Sequence, residues 1–376
     1  MAASAPLFVM AGGGTGGHVI PAIAVARQLA AAGCRVTFVG TARGAEARLV
    51  PAAGFPLEII RVGGLKNLGL ATKVTSVWQL VMATMGQLVS FGKTRPAAVF
   101  SMGGYVAGPP VLAALLRGIP LVVMEPNAVP GATNKWVGKW VRRALVSFEE
   151  TGRFFPQGRT DVTGLPVRDE FFQVASRAAE GTLKVLITGG SQGSKTLNEA
   201  ARDSWQLFRD AGVPVRFVHQ TGTAMFESVR AGFLASGLDG TVSEFISDMP
   251  AAFAQADLII CRSGAGAVAE LAAAGKAAVL IPFPFAADAH QLKNAEAFEA
   301  AGAARLFRDK EWTGRKLFET AMAFLGRPDE LAEMGRRARQ LAKPGAARRA
   351  AEILLEEAGL ASQYRLTDVH ADRNNG

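Results

Sequence analysis

Gly12-Gly13-Gly14-Thr15-Gly16-Gly17-His18 leaves an apolar run, LFVMA, and enters the helical pattern VIPAIAVA. In the second half, Gly189-Gly190-Ser191-Gln192-Gly193 stands between LKVLIT and SKTLNEAA. Glycine in a strand-to-helix turn tolerates positive φ and lets backbone N–H groups approach a ligand closely. The helix behind it presents its positive end to an anion. One such turn in each half suggests two nucleotide-fold halves that share a phosphate-bearing ligand, which is nucleotide-sugar chemistry rather than hydride transfer. Nicotinamide folds also place an acidic residue about 20 residues beyond the glycine turn. The second strand here ends Phe38-Val39-Gly40-Thr41, with no acid.

The remaining reactive side chains cluster at other predicted strand ends. His18 stands at a helix N-terminus, which disfavours the imidazolium and leaves a ring able to take a proton from an attacking hydroxyl. A capping or loop-bracing histidine is the simpler alternative. Ser101-Met102-Gly103-Gly104-Tyr105-Val106 is a third glycine turn, and Met124-Glu125-Pro126-Asn127 ends the next strand. Ligands of open parallel sheets collect at such carboxyl ends, although Tyr105 and Asn127 also suit plain turns.

In the second half the Ser191 hydroxyl and its glycine neighbours could hold a pyrophosphate. Ser263-Gly264-Ala265-Gly266-Ala267-Val268-Ala269-Glu270 is another strand-to-helix turn that puts Glu270 about one turn inside the helix. A carboxylate there can accept from the vicinal hydroxyls of a ribose. Gln291, in the helix after Pro282–His290, has both a donor and an acceptor for sugar hydroxyls. No D-x-D occurs, so a carboxylate-held metal is not supported, and helix dipoles would oppose the phosphate charge. The sequence demands no cofactor and leaves stimulation by a divalent cation open.

These residues need a scaffold of alternating strands and helices, and the chain supplies one. Strands read at 6–11, 35–40, 57–61, 97–101, 119–124, 144–147 and 160–163, then 183–188, 214–219, 241–245, 257–261, 277–281 and 304–307. Helical segments between them give an α/β pattern with parallel sheets. The length of 376 residues suits two domains, placed at 1–166 and 167–345 with the junction at Gly164-Leu165-Pro166. Helices read at 329–342 and 346–358, and 361–376 reads as a polar tail. Only Cys34 and Cys261 are present, far apart, so neither a zinc site nor a disulfide framework is expected and a reducing, cytoplasmic setting fits. No signal-peptide pattern is expected at the N-terminus.

The net charge is +9, which suits either solvated helix faces or attraction to phosphates and anionic membranes. Residues 74–91 carry no charge. Their apolar positions (Val74, Val77, Trp78, Val81, Met82, Met85, Leu88, Val89) recur at helical spacing, which argues against a membrane span. The segment is either a helix packed on the sheet or one whose apolar side enters a bilayer surface. Lys66, Lys73 and Lys93 flank it, and NKWVGKWVRR adds Trp136 and Trp140 beside Lys135 and Lys139.

Together these strings resemble the MurG family, N-acetylglucosaminyltransferases that turn lipid I into lipid II in peptidoglycan synthesis. The resemblance spans about residues 6–358 and rests on GGTGGH, MGGY-V-x-GP, E-x-N, GGSQG, HQTG, EFI-x-DM, RSGA-x-x-V-x-E and PFP-x-AAD-x-HQ-x-x-NA. It implies a GT-B architecture: two Rossmann-like parallel-sheet domains facing a cleft, with a last helix at about 346–360 returning to the first domain. The first domain would take the lipid-linked acceptor and the second UDP-N-acetylglucosamine.

By position, the resemblance puts Thr15, Gly16, Gly17 and Asn127 on the donor sugar, and Arg168 and Ile246 on the uracil. Ser191 would meet the diphosphate. Ala265, Gly266, Ala267, Val268, Ala269 and Glu270 would line phosphates and ribose, with Gln291 on the N-acetylglucosamine. His18 or Glu125 would be the base, with Gly14, Gly104 and Tyr105 on the acceptor side. It further implies an anionic membrane surface, other cell-wall synthesis proteins as partners, and a peripheral place on the cytoplasmic face of the bacterial membrane. The chain departs from the pattern at Met124, Pro126, Leu165, Ala267 and Ala269, and carries one extra glycine in the first loop. A diacylglycerol glycosyltransferase of the same superfamily and a silent nucleotide-sugar-binding protein are the alternatives.

Overall fold

The computed structural model describes residues 5–63, 70–175, 181–286 and 289–366, with side chains of the helix that starts at Leu70 described from Thr75 onward. The chain divides into two compact units. Unit 1 runs to Val167 and resumes at Gly345, and unit 2 is Arg168–Pro344.

Among the described residues unit 1 contains seven parallel strands: β1 (Leu7–Gly12), β2 (Arg35–Gly40), β3 (Leu57–Ile59), β4 (Ala98–Gly103), β5 (Leu121–Glu125), β6 (Arg143–Val146) and β7 (Thr160–Val162). Their order is β3-β2-β1-β4-β5-β6-β7. The chain winds outward from β1 on one side and from β4 on the other, so the carboxyl ends of β1 and β4 form the crevice where such sheets take ligands. Strands buried on both faces read as unbroken apolar runs, as Phe8-Val9-Met10-Ala11 and Leu121-Val122-Val123 do here, all buried. Met10 pairs with Phe38 on one side and Phe100 on the other. A bulge at Ala11/Gly12 brings Gly12 opposite Gly103. A Cβ on Gly12 would lie 2.8 Å from the Met102 Cβ, so the β1 end has room only for glycine.

Among the described residues the helices of unit 1 are α1 (Gly16–Ala31), α2 (Glu46–Ala52), α3 (Leu70–Lys93), α4 (Gly108–Leu116) and α5 (Ala132–Val137), with one more added from beyond unit 2. Helix α3 is inverted relative to an ordinary surface helix. Trp78 (64% exposed), Val77, Val81, Met82, Met85 and Val89 face outward, while Ser76, Thr84 and Gln87 (1%) are buried. The inward polar groups find local partners: Gln87 Nε2 donates to Glu58 and Thr84 Oγ1 to the Leu80 carbonyl. The helix is therefore not simply packed on the sheet by its apolar stripe.

Unit 2 repeats the winding with six parallel strands: β8 (Leu183–Thr188), β9 (Val215–Gln220), β10 (Asp239–Ser243), β11 (Leu258–Cys261), β12 (Ala277–Leu280) and β13 (Ala304–Leu306), in the order β10-β9-β8-β11-β12-β13. β10 starts at Asp239 instead of 241, because it is an edge strand held by backbone pairing to Arg216–Gln220 with partly exposed side chains, and hydropathy does not mark its start. Helices α6 (Lys195–Ala211), α7 (Phe226–Ser236), α8 (Met249–Gln255), α9 (Ala265–Ala274), α10 (His290–Ala300), α11 (Gly314–Leu325) and α12 (Pro328–Gln340) surround the sheet. Trp205 and Phe208 of α6 meet Phe217, Ile187 and Phe324 in one buried cluster, each large side chain contributing about 1.5–3 kcal/mol of burial. After unit 2 the chain rejoins unit 1 as α13 (Ala346–Glu357), packed against α1. Two ion pairs fasten it, Glu357 with Arg143 and Arg349 with Asp161.

Candidate functional site

In unit 1 three strand-end turns converge. The β1 loop carries His18 on the first turn of α1, and its Nδ1 lies 3.2 Å from the Gly13 carbonyl. A carbonyl only accepts, so Nδ1 bears the hydrogen and Nε2 carries the lone pair of the neutral ring. The β4 turn closes on the other side of the ring. Gly104, at φ +78, would place a Cβ 3.5 Å from His18 Nδ1. Tyr105 is 45% exposed, with its ring edge 3.9 Å from where a Gly14 side chain would begin. Thr15 precedes α1 with no side-chain capping bond, and Gly16 and Gly17 open the helix.

Glu125, at the end of β5, is 1% exposed. Its Oε1 accepts from the Asn127 N–H and side-chain amide, both at 3.0 Å, and its Oε2 from the Gly131 N–H and the Asn134 amide, also at 3.0 Å. Burial pushes its carboxyl above the ordinary value, while these donors from Asn134, Asn127 and Gly131 pull the other way. The same Asn134 packs under Gly103, and Thr133 donates to the Gly104 carbonyl at 2.9 Å. Glu125 is thereby the hub that holds the β5 loop, Asn127 included, against the β4 turn.

Glu46 is a residue that sequence reasoning missed. It is completely buried at the start of α2 and hydrogen-bonds the β1 loop. The signal was present in three glycines, Gly13, Gly40 and Gly44, whose missing side chains make the space it fills.

In unit 2 the β8 turn, the β9 end and the loop after β10 are interlocked. Gly193 and Gly222 pack backbone on backbone, each leaving no room for a Cβ. Gln220, buried at the end of β9, donates to the Gly190 carbonyl at 2.9 Å and accepts from the Ile246 N–H at 2.8 Å. It therefore links the Ser191 loop to the Ile246 loop, a role its place in HQTG did not reveal. Ser191 is exposed at the tip of its turn, and Ser194 caps α6 through the Leu197 N–H.

Helix α9 starts differently. Gly264 is its N-cap, no side chain caps it, and the space around Gly264 and Gly266 is open. Its first-turn N–H groups thus face outward with the full positive end of a ten-residue helix. Further along, the Glu270 carboxyl is pushed up to about 7 by burial, with Arg168 pulling it back. Arg168 itself is exposed and lies over the Phe171 ring. The backbone of the Gln291 turn is held by the Ser263 hydroxyl at 2.8 Å, and its side-chain carbonyl accepts from the Phe283 N–H at 3.0 Å. One acceptor position of the Gln291 side chain is thus taken by the protein's own backbone.

Of the basic and aromatic positions singled out for a membrane surface, Lys93, Lys135 and Lys139 are exposed. Trp136 and Trp140 stack edge to face at 5.7 Å, with Lys139 Nζ 4.1 Å over Trp140. Lys66 lies outside the described residues, and Lys73 belongs to the backbone-only start of α3. Among the described residues no helix is long and apolar enough to cross a membrane, and no group of three His, Cys, Asp or Glu could hold a metal ion.

Two family models match the chain: the glycosyltransferase family 28 N-terminal domain over residues 8–146 and the family 28 C-terminal domain over 184–350. The UDP-N-acetylglucosamine--N-acetylmuramyl-(pentapeptide) pyrophosphoryl-undecaprenol N-acetylglucosamine transferase of Solibacter usitatus is 60% identical over 357 residues, 94% of this chain and 97% of that protein. The enzyme of the same name from Myxococcus xanthus is 41% identical, covering 93% and 92%. The crystal structure of Acinetobacter baumannii MurG superposes with a TM-score of 0.78 at 35% identity, covering 93% of this chain and 99% of that one.

Proposed function

The chain belongs to glycosyltransferase family 28, and from that membership we propose how its residues divide the work of a sugar transfer. The fold is GT-B-like, and the enzyme transfers N-acetylglucosamine from UDP-N-acetylglucosamine to lipid I in peptidoglycan synthesis.

In our reading the acceptor's C4 hydroxyl attacks the anomeric carbon from the face opposite the diphosphate. The new C–O bond forms as the bond to UDP breaks, giving an inverted β1→4 link, lipid II and UDP. The hydroxyl proton passes to His18 Nε2. The observation that carries this assignment is the contact of Nδ1 with the Gly13 carbonyl, which fixes the tautomer whose other nitrogen is basic. Glu125, the other candidate base, already receives four hydrogen bonds and suits the holding of Asn127.

Unit 2 supplies the donor's contacts. Ile246 and Arg168 meet the uracil, Glu270 accepts from the ribose hydroxyls, and the uncapped α9 start, Ala265 to Ala269, receives phosphate oxygens. Ser191 and the α6 start take up charge that builds on the departing diphosphate, and the Gln291 amide donates to N-acetylglucosamine. Backbone N–H groups oppose the diphosphate charge in this reading, so turnover should survive a chelator. The outward apolar face of α3, with Trp136, Trp140, Lys93, Lys135 and Lys139, rests on an anionic membrane surface and reaches the polyprenyl-linked acceptor there.

The test is purified protein with labelled UDP-N-acetylglucosamine and a short-chain lipid I. Wild type should form disaccharide, and His18→Ala should lose at least about a hundredfold in kcat. Near wild-type turnover of His18→Ala would remove the base assignment.

A further inference from the structure

Residues 13 and 14 share one peptide group, and that group is gripped at both ends. Its C=O, from Gly13, faces His18 Nδ1 at 3.2 Å. Its N–H, from Gly14, donates to Glu46 Oε2 at 2.8 Å. The other oxygen of Glu46 accepts from the Thr41 N–H at 2.9 Å and the Thr41 hydroxyl at 2.8 Å. This carboxylate is completely buried. The space is built for it: a Cβ on Gly13 would lie 2.5 Å from Glu46 Cδ and one on Gly40 2.5 Å from Cγ, with Gly44 closer still.

We propose that Glu46 is a positioning residue for the transfer, acting on His18 through the Gly13–Gly14 peptide. The inference rests on the reading of His18 as base. A carboxylate that accepts from the N–H end of a peptide polarises it and makes the C=O end a better acceptor. The His18 Nδ1–H is thereby held more firmly, which fixes the ring orientation and raises the basicity of Nε2, as carboxylate partners do for metal-bound histidines. Here one peptide group is interposed between acid and imidazole. The arrangement also bears on one sequence feature, the missing acid at the end of β2. Glu46 occupies the β2 end where dinucleotide folds seat a ribose, and turns that position from ligand binding to bracing.

Hydrogen bonds from Thr41 and Gly14 outweigh the effect of burial and keep the Glu46 carboxyl below the ordinary carboxylate value, so the group is an acceptor throughout the working range.

The experiment compares Glu46→Gln, His18→Ala and the double variant, with thermal unfolding as a check of folding. Glu46→Gln keeps the shape but must turn a donor toward Gly14 or Thr41. The expected result is a kcat at least tenfold lower with the KM for UDP-N-acetylglucosamine within twofold of wild type, and less than twofold further loss when the change is added to His18→Ala. A kcat within twofold of wild type, an equal loss in both backgrounds, or a donor KM that rises with the loss of kcat would each overturn the proposal. If Glu46→Gln does not fold, Glu46→Asp is read by the same limits. His18→Ala at wild-type turnover ends the base reading and this proposal together. An inactive His18→Ala beside a fully active Glu46→Gln ends the proposal alone.

Discussion

Gln220 holds the backbone of Ile246 with one end of its amide, at 2.8 Å, while the other end holds the Gly190 carbonyl at 2.9 Å. A single buried side chain thus sets the spacing between the loop proposed for the uracil and the loop proposed for the diphosphate.

Replacing it tests that coupling. Gln220→Met fills similar volume but leaves the Ile246 N–H and the Gly190 carbonyl without their partner, at a cost of about 1–3 kcal/mol in stability. The donor KM should rise about tenfold or more, since two recognition loops lose their register. An unchanged KM in steady-state kinetics would mean the loops keep their spacing without it.

The Glu270 carboxyl, pushed up to about 7, predicts a pH dependence of donor binding. The carboxylate can accept from both ribose hydroxyls, whereas the acid turns one oxygen into a donor, so a proton competes with the nucleotide. Below pH 7 the apparent Kd for UDP should rise about tenfold per unit. Glu270→Gln should bind weakly and lose this dependence, as calorimetric titration across pH 5.5–8.5 would read. For the empty protein the sign is opposite. A carboxyl raised in the folded state lowers stability as pH climbs from its ordinary value of 4.5 toward about 7, because the unfolded chain has already released that proton.

At the start of α9, gain of stability and loss of function should separate. Gly264→Asp adds an N-cap at a site with extended backbone and open space, worth about 0.3 kcal/mol. It also sets a negative charge where phosphate oxygens should dock. The melting temperature should hold or rise slightly, while the KM for UDP-N-acetylglucosamine increases at least about tenfold. A variant of normal KM would move the phosphates away from α9.

The exposed face of α3 can be changed without disturbing the core. Trp78→Ser with Met82→Ser should stay within about 0.5 kcal/mol of wild type, keep full turnover of a water-soluble acceptor, and lose binding to anionic vesicles in a flotation assay. Gln87→Ala, on the buried side, should do the reverse: lower stability with vesicle binding retained.

Most of the strand framework was legible because parallel strands covered on both faces leave short apolar runs, such as Phe8–Ala11 and Val185–Ile187. The edge strand β10 was misplaced by two residues because its pairing is carried by backbone groups. The stripe on α3 was legible, but its direction was not, since a helix with Ser76, Thr84 and Gln87 turned inward has the same periodicity as its mirror case. Motif residues such as His18, Glu270 and Gln291 announce themselves by type and spacing. Their braces do not. Glu46 lies in a seven-residue helix, and Gln220 is the last residue of a strand. Each becomes visible only when the glycines and carbonyls it serves are brought around it.

Helix α13 completes unit 1 from the far end of the chain, seated against α1 and tied by Arg143–Glu357. During synthesis, then, the first unit emerges from the ribosome without one of its covering helices, and the second can finish before it. A nascent chain stalled anywhere before residue 346 leaves the α1 surface bare, a target for chaperones and proteases. Maturation of the half that carries His18 waits on translation of α13.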